Sequence, residues 1–274
     1  MDRKKLLIIG CGDLGERLAN QVSDDFEVYG LRRKPPLRGA ECIHYLRGDA
    51  SDENTMRSVL AREFAAIVLT LTPSARSDEG YRHGYVEPCQ ALVRALAGRS
   101  PRVIMVSSTA VYGQSDGQWV DETSLATPPR YNGTRLLEAE SVLADAKLPL
   151  VTLRLAGIYG PGRTRLLQSV AEGNAKASPA FTNRIHADDC AGFMAWVLRM
   201  ENPLPLYLVS DGEAPTKAEV VSWLASEMGV ATPPTEVVDN MNKRVDNRRM
   251  LATGYTLRYQ DFRAGFASVI PRSP

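Results

Sequence analysis

A strong charge of one sign is missing from this 274-residue chain: 33 Lys and Arg face 32 Asp and Glu, for a formal net charge of +1. Such a balance sets up no global field to attract nucleic acid or an anionic membrane, so any recognition of anions must be local. Long hydrophobic runs are missing too, and none approaches the ~20 apolar residues a membrane-spanning helix needs. The apolar stretch after Asp2-Arg3-Lys4-Lys5 meets Gly10 too soon for a signal peptide. Cysteine and histidine are sparse: Cys11, Cys42, Cys89 and Cys190 lie far apart without a Cys-x-x-Cys pair, and His44, His83 and His186 are scattered. This excludes a disulfide-stapled scaffold, and no metal-ligand set is expected. The composition points to a cytoplasmic protein with no nucleic-acid or membrane partner.

What is present is an alternation of short apolar, β-rich runs with amphipathic helical segments. It specifies an α/β fold, a doubly wound parallel sheet of Rossmann type covered on both faces. Buried strands are expected at Lys5–Ile9, Glu27–Leu31, Cys42–Leu46, Ala66–Leu71, Arg102–Ser107, Leu150–Leu155 and Leu206–Val209. Helical periodicity runs through Asp13–Val22, Tyr85–Leu96, Tyr131–Ala146, Ala187–Met200 and Thr216–Met228. After Leu155 the residues Gly157, Gly160, Pro161 and Gly162 break the pattern, which marks a smaller C-terminal lobe.

The first strand runs into Gly10-Cys11-Gly12-Asp13-Leu14-Gly15 and then a helix. In that setting Gly-x-Gly-x-x-Gly reads as a dinucleotide-binding loop: its glycines permit a tight turn, close approach to a pyrophosphate and close helix packing. The plainer alternative is an ordinary βα turn. An NAD-selective site needs a carboxylate near the end of the second strand, whereas this sequence has Arg32-Arg33-Lys34. Cations there suit a 2′-phosphate, which favours NADP(H) with NAD(H) as the alternative ligand. A solvated basic turn before Pro35-Pro36 would read the same way. Asp49, after the third strand, is placed to accept from the adenine amino group or to cap the next helix. The cofactor-binding candidates are Gly10, Gly12, Asp13, Leu14, Gly15, Arg32, Arg33, Asp49 and Leu71.

Four further segments, in order, complete a pattern: Val106-Ser107-Ser108-Thr109-Ala110-Val111-Tyr112-Gly113, Leu153-Arg154-Leu155-Ala156-Gly157-Ile158-Tyr159-Gly160, Arg184-Ile185-His186-Ala187-Asp188-Asp189, and Asn242-Lys243-Arg244-Val245-Asp246-Asn247. Together with the glycine loop they resemble the extended short-chain dehydrogenase/reductase superfamily, the group of nucleotide-sugar epimerases and dehydratases. The resemblance runs almost the whole length. It implies a cofactor domain of 1–157 plus 185–212 and a substrate lobe of 158–184 plus 213–274, with a small or sugar-like, nucleotide-linked or free substrate bound between them. It also implies Tyr131 as general acid/base and Ser108 and Thr109 as donors to the same substrate oxygen. The family's Tyr-x-x-x-Lys reads here Tyr131-Asn132-Gly133-Thr134-Arg135, with arginine for lysine. Arg135 keeps the charge, to orient the nicotinamide ribose and bias Tyr131, but cannot join a proton relay. This departure and the glycine spacing point to the atypical subgroup.

Two functions stay open on these residues: an NADP(H)-preferring oxidoreductase or epimerase/dehydratase-like enzyme, and a catalytically degenerate NADP(H)-binding sensor or scaffold. Tyr131 as an exposed first-turn aromatic, and Ser108 and Thr109 as strand-end caps, are the plainer alternatives. Asp188 and Asp189 read as helix-start carboxylates. Arg76, Arg82, Arg163 and Arg165 are placed to meet an anionic substrate or to be solvated. A homodimer through 85–96 and 131–146 is expected by analogy with such folds.

Overall fold

The computed structural model describes residues 3–270. Eleven strands are found among them: β1 (Lys4–Ile9), β2 (Phe26–Arg32), β3 (Ile43–Arg47), β4 (Ala66–Leu69), β5 (Arg102–Ser108), β6 (Asp116–Val120), β7 (Leu150–Leu155), β8 (Gly157–Tyr159), β9 (Arg184–His186), β10 (Leu206–Val209) and β11 (Asn242–Val245). Seven of them form one sheet in the order β10-β7-β5-β4-β1-β2-β3, and the run β5-β4-β1-β2-β3 is parallel throughout. All seven expected strands are in it. The chain reverses its direction of winding between β1 and β4, the point at which open α/β sheets bind ligands.

The helices are α1 (Asp13–Val22), α2 (Glu53–Leu60), α3 (Asp78–Tyr81), α4 (Glu87–Leu96), α5 (Tyr131–Asp145), α6 (Arg165–Ala171), α7 (Ala187–Arg199), α8 (Lys217–Glu227), α9 (Arg248–Leu251) and α10 (Phe262–Ala267). Successive side chains on a strand point to opposite faces, and β1 is buried on both. Leu7 and Ile9 pack with Met56, Val59, Leu92, Ala139 and Leu143 from α2, α4 and α5. Ile8, one residue out of phase, meets α1, where Gly15 passes so close that an added Cβ would stand 3.0 Å from Ile8 Cγ2. Helices therefore cover both faces, as the apolar runs require.

Contacts divide the chain into two compact units, 1–111 with 127–154 and 191–207, and 112–126 with 155–190 and 208–274. The lobes expected from sequence have other bounds: 112–126, 155–157, 185–190 and 208–212, expected with the cofactor domain, fall in the second unit. In the second unit β8 pairs with β9 and β6 with β11, both parallel. Its core gathers Tyr159, Leu167, Val220, Leu224, Phe262 and Phe266 around α6, α8 and α10. Asp188 and Asp189 lie in the first turn of α7, as expected, and Asp189 has a further role. It is fully buried and accepts from Tyr255 Oη (3.0 Å), Arg258 N (2.7 Å) and Tyr259 N (3.0 Å), so it ties down the C-terminal segment.

Two boundaries move by more than one residue. The expected strand to Leu71 ends at Leu69: Thr70 N still donates to Ile9 O at 2.9 Å, but β1 ends at Ile9 and Gly10 lies against Thr70 and Leu71. The helix expected from Tyr85 begins earlier: α3, capped by Ser77 Oγ on Gly80 N, runs through a π-helical turn, Arg82–Val86, into α4.

One buried ion pair seats α5 on the sheet. Glu140 accepts from Arg154 Nη2 (2.7 Å) and Nε (3.1 Å) on β7 and from Ser107 Oγ on β5. Both partners are nearly enclosed, with side-chain exposures of 10% and 12%. Replacing Glu140 by Leu strips the buried guanidinium of its carboxylate, a change that costs about 3–5 kcal/mol in such sites. The expected outcome is a matching drop in the urea midpoint at unchanged slope; a loss under about 1 kcal/mol would show that the pair does not hold the helix.

Candidate active site

The glycine loop is built by backbone packing. Gly10 has φ +80°, and a Cβ there would lie 3.0 Å from Thr70 O and 3.1 Å from Leu71 Cα. A side chain is excluded on both counts, conformation and space. Gly10 N and Cys11 N both donate to Leu31 O (2.9 and 3.1 Å), and Thr70 Oγ1 donates to Gly10 O (3.1 Å), so the loop is knitted to the ends of β2 and β4. Gly12 is the N-cap of α1 and supplies no side-chain cap, which leaves the first-turn amides to meet an anion at the positive end of the helix.

Beside this loop is a pocket of about 500 Å³ whose wall includes Gly10, Gly12, Arg32, Arg33, Asp49 and Leu71 from the expected set. Asp13, Leu14 and Gly15 are the first turn of α1 and are not part of that wall; Asp13 pairs with Arg17 at 2.8 Å. The three cations after β2 differ in their surroundings. Arg32 Nη1 donates to Glu16 Oε1 at 3.2 Å, an oxygen that also accepts from Tyr45 Oη at 3.0 Å, while Arg33 and Lys34 are exposed on the pocket wall. Burial raises the Cys11 thiol to about 12 within the loop, so it packs as an inert side chain.

The two roles open to Asp49 separate here. Asp52 is the N-cap of α2, accepting from Asn54 N and Thr55 N. Asp49 lines the pocket, its Oδ1 accepting from Ser51 N (3.0 Å) and Ser51 Oγ (2.8 Å). Burial pushes the Asp49 carboxyl up. The Ser51 bonds and the nearby His83 and Arg33 outweigh this and hold it below the usual carboxylate range. The amide cradle, the cation wall and the apolar carbons of Ala50, Leu71 and Pro88 together fit a dinucleotide.

The residues expected to carry chemistry come from β5 and α5. β5 ends at Ser108, whose Oγ accepts from Ala110 N at 3.1 Å, and a 3-10 turn, Thr109–Val111, follows with Thr109 buried. Gly133 in the first turn of α5 lets the helix close on this turn: a Cβ there would stand 2.5 Å from Ala110 O and 2.5 Å from Pro128 Cβ. Tyr131 opens the helix 40% exposed, donates to Arg76 O at 2.8 Å, and meets the Tyr81 ring edge to face at 5.7 Å. Arg135 grips Asp78 with Nε (2.8 Å) and Nη2 (2.7 Å) and Glu138 with Nη1 (2.6 Å), so each of its three guanidinium nitrogens holds a carboxylate. Asp78 and then Glu138 raise the Arg135 pKa, and Arg135 in turn holds Asp78 below its ordinary range.

Asp78 and Tyr81 are not among the residues expected from sequence, and His83 is expected only as a scattered histidine without metal-ligand spacing. No local signal marks Asp78, whose partner is 57 residues away. For His83 there was one: Glu87 lies four residues on, the spacing of a helical pair. Of the four arginines expected near a substrate, Arg82 lies 3.6 Å from Glu87, and Arg76 contributes its carbonyl to Tyr131. No helix among the described residues is long and apolar enough to cross a membrane.

Comparison with known proteins bears on the same features. The model of the NAD dependent epimerase/dehydratase family matches residues 6–214. Protein YeeZ of Escherichia coli K12 is 30% identical, over 94% of this chain and 97% of its own. A candidate NAD-dependent epimerase/dehydratase from Methylobacillus flagellatus superposes with a TM-score of 0.85 at 34% identity, covering 97% of both chains. The protein MoeE5, solved with UDP-glucuronic acid and NAD, shares the fold at a TM-score of 0.81 and 23% identity, covering 96% of this chain and 97% of its own. With the glycine loop at the β1/β4 crevice and a match that spans most of the sequence, the chain belongs to the NAD-dependent epimerase/dehydratase family.

Proposed function

We propose that the protein is an NADP(H)-preferring enzyme of epimerase/dehydratase or reductase type, acting on a small or sugar-like substrate. The cofactor part is carried by one observation: the pocket wall at the end of β2 presents Arg32, Arg33 and Lys34 and no carboxylate. A carboxylate at that place accepts from both ribose hydroxyls and repels a 2′-phosphate, whereas guanidinium groups pair with the phosphate. The first-turn amides of α1 would hold the pyrophosphate. Residues 1–157 plus 185–212 form the cofactor part in this reading, and 158–184 plus 213–274 the substrate part. MoeE5 supports a sugar-nucleotide as the substrate class, since its structure contains UDP-glucuronic acid. A cytoplasmic homodimer pairing α4 and α5 completes the reading.

Bound NADP(H) would supply hydride transfer at the nicotinamide. Tyr131 acts as general acid/base, exchanging the Arg76 carbonyl for a substrate oxygen and passing a proton to or from it. Thr109, with Ser108, donates to that oxygen and holds it beside the tyrosine. Arg135 keeps its nitrogens on Asp78 and Glu138, two carboxylates that balance its single charge, and a guanidinium so held does not shuttle protons. The same occupation of Arg135 favours a second reading, a degenerate NADP(H)-binding sensor or scaffold. Turnover separates the two.

Neutralising Arg32 and Arg33 together to Ala is expected to weaken NADPH binding about tenfold or more and to leave NADH nearly unchanged, measured by nicotinamide fluorescence titration. Equal affinities for the two dinucleotides in the natural protein, unmoved by the double substitution, would overturn the phosphate assignment. Tyr131→Phe is expected to lower kcat at least ~100-fold on an identified substrate while NADPH still binds. Unchanged turnover would remove Tyr131 from its role. Arg135→Lys tests the second reading: a gain of activity from an inactive natural protein marks a degenerate enzyme, and robust activity in the natural protein excludes the sensor.

A further inference from the structure

Residues 74–81 fold onto themselves. Ser74 N donates to Gly80 O (3.3 Å), Gly80 N to Ser77 Oγ (3.1 Å) and Tyr81 N to Ser77 O (3.0 Å), and Gly80 packs so closely on Ala75 that a Cβ has no room against its carbonyl. A short loop closed in this way moves as one piece. The Arg76 carbonyl and the Asp78 carboxylate, two residues apart on it, therefore travel together.

Helix α5 meets this piece at two residues one helical turn apart. Tyr131 Oη donates to Arg76 O at 2.8 Å, and Arg135 sets Nε and Nη2 against the two oxygens of Asp78 at 2.8 and 2.7 Å. The two contacts differ in kind. The first is a neutral bond that a substrate oxygen can replace, whereas the second is a charge-assisted fork, directional and roughly twice as strong. Asp78 thus holds the piece against α5, and the Arg76 carbonyl comes with it. A tyrosine hydroxyl has one proton to donate, so Tyr131 is occupied whenever the segment is closed.

We propose that Asp78 is a positioning residue that gates the site: through Arg135 it keeps residues 74–81 closed on the Tyr131 hydroxyl, which meets a substrate only when that ion pair opens. The inference rests on Tyr131 as the acid/base of the proposed enzyme and adds its regulation. It gives arginine at position 135 a task of its own, since the compact charge of a lysine does not match a carboxylate edge with a planar fork. Asp78 is about half exposed, and a pair open to solvent shifts an equilibrium only a few-fold, which suits a gate that opens at every turnover.

Acetylation of the Tyr131 hydroxyl by N-acetylimidazole, located by peptide mass spectrometry, reads its availability without a substrate. In dilute buffer Asp78→Asn is expected to be acetylated at Tyr131 about two- to fivefold faster than the natural protein. Salt at about 0.5 M screens the pair and is expected to bring the natural protein close to that variant. Glu138→Gln is the charge control: it takes the same charge from Arg135 but lies on α5 itself, so its acetylation is expected to stay at the natural rate. Equal rates in the natural protein and Asp78→Asn, or an equal rise in Glu138→Gln, overturn the gate. On an identified substrate at saturating NADPH, kcat of Asp78→Asn is expected to rise by a similar factor with KM little changed. A fall in kcat beside faster acetylation makes the closed segment the productive one and overturns the proposal. Acetylation as expected, with turnover that Tyr131→Phe leaves unchanged, keeps the contact on the hydroxyl and overturns the acid/base reading beneath it.

Discussion

Backbone lies directly on backbone where β1 and β4 part, and the ligand wall depends on that contact. Gly10 sits over Thr70 and Leu71 with no space for a methyl group. Because the loop can descend that far, its amides reach Leu31 O, its carbonyl reaches Thr70 Oγ1, and α1 starts at Asp13 with its first turn at the crevice. A side chain at position 10 would lift the loop and carry the helix start with it. The other half of the site repeats the device, with Gly133 seating the start of α5 against Ala110 and so fixing where Tyr131 stands relative to Ser108 and Thr109. Missing Cβ atoms therefore set the positions of both halves, and polar contacts such as Glu140 with Arg154 then hold them.

Arginine at position 135 changes more than a proton inventory. A lysine is a compact point charge with three rotatable donors; a guanidinium is a planar fork that matches a carboxylate edge. Arg135 uses the fork on Asp78 and its remaining nitrogen on Glu138, which couples α5 to α3. Asp78 is about half exposed, so this pair adds little to stability. Its effect is geometric. It holds the segment that also provides the Arg76 carbonyl to Tyr131, so the tyrosine hydroxyl and the charge that replaces lysine are tied to one short stretch of chain.

The sheet was legible because β1, β4, β5, β7 and β10 are short, largely buried apolar runs bounded by turn residues, and burial on both faces leaves little ambiguity in such runs. α1 and the glycine loop were legible for a similar reason, being one strand-turn-helix unit with all its signals local. The π-helical turn was not, because what forces it is the approach of Gly84 to Pro73, a tertiary contact with no period of its own. Nor was the occupation of Arg135. Asp49 and Asp52 illustrate the boundary: sequence placed two carboxylates near a helix start, and only the fold shows that Asp52 caps it while Asp49 faces the pocket.

The three cations after β2 look equivalent in the sequence and are not equivalent in the fold. Glu16, one turn into α1, takes a bond from Arg32 and another from Tyr45, so part of the charge of Arg32 is already balanced inside the protein. Arg33 and Lys34 stand further out on the pocket wall, and Arg33 is near enough to help hold Asp49 ionised. A chain with a net charge of only +1 can recognise a phosphate if its positive charge is uneven at short range, since screening removes the rest beyond about 10 Å. Here the unevenness follows from chain order. Strand β2 ends where the helix that begins at the glycine loop supplies Glu16, so the first cation is spent on the fold and the next two remain at the pocket.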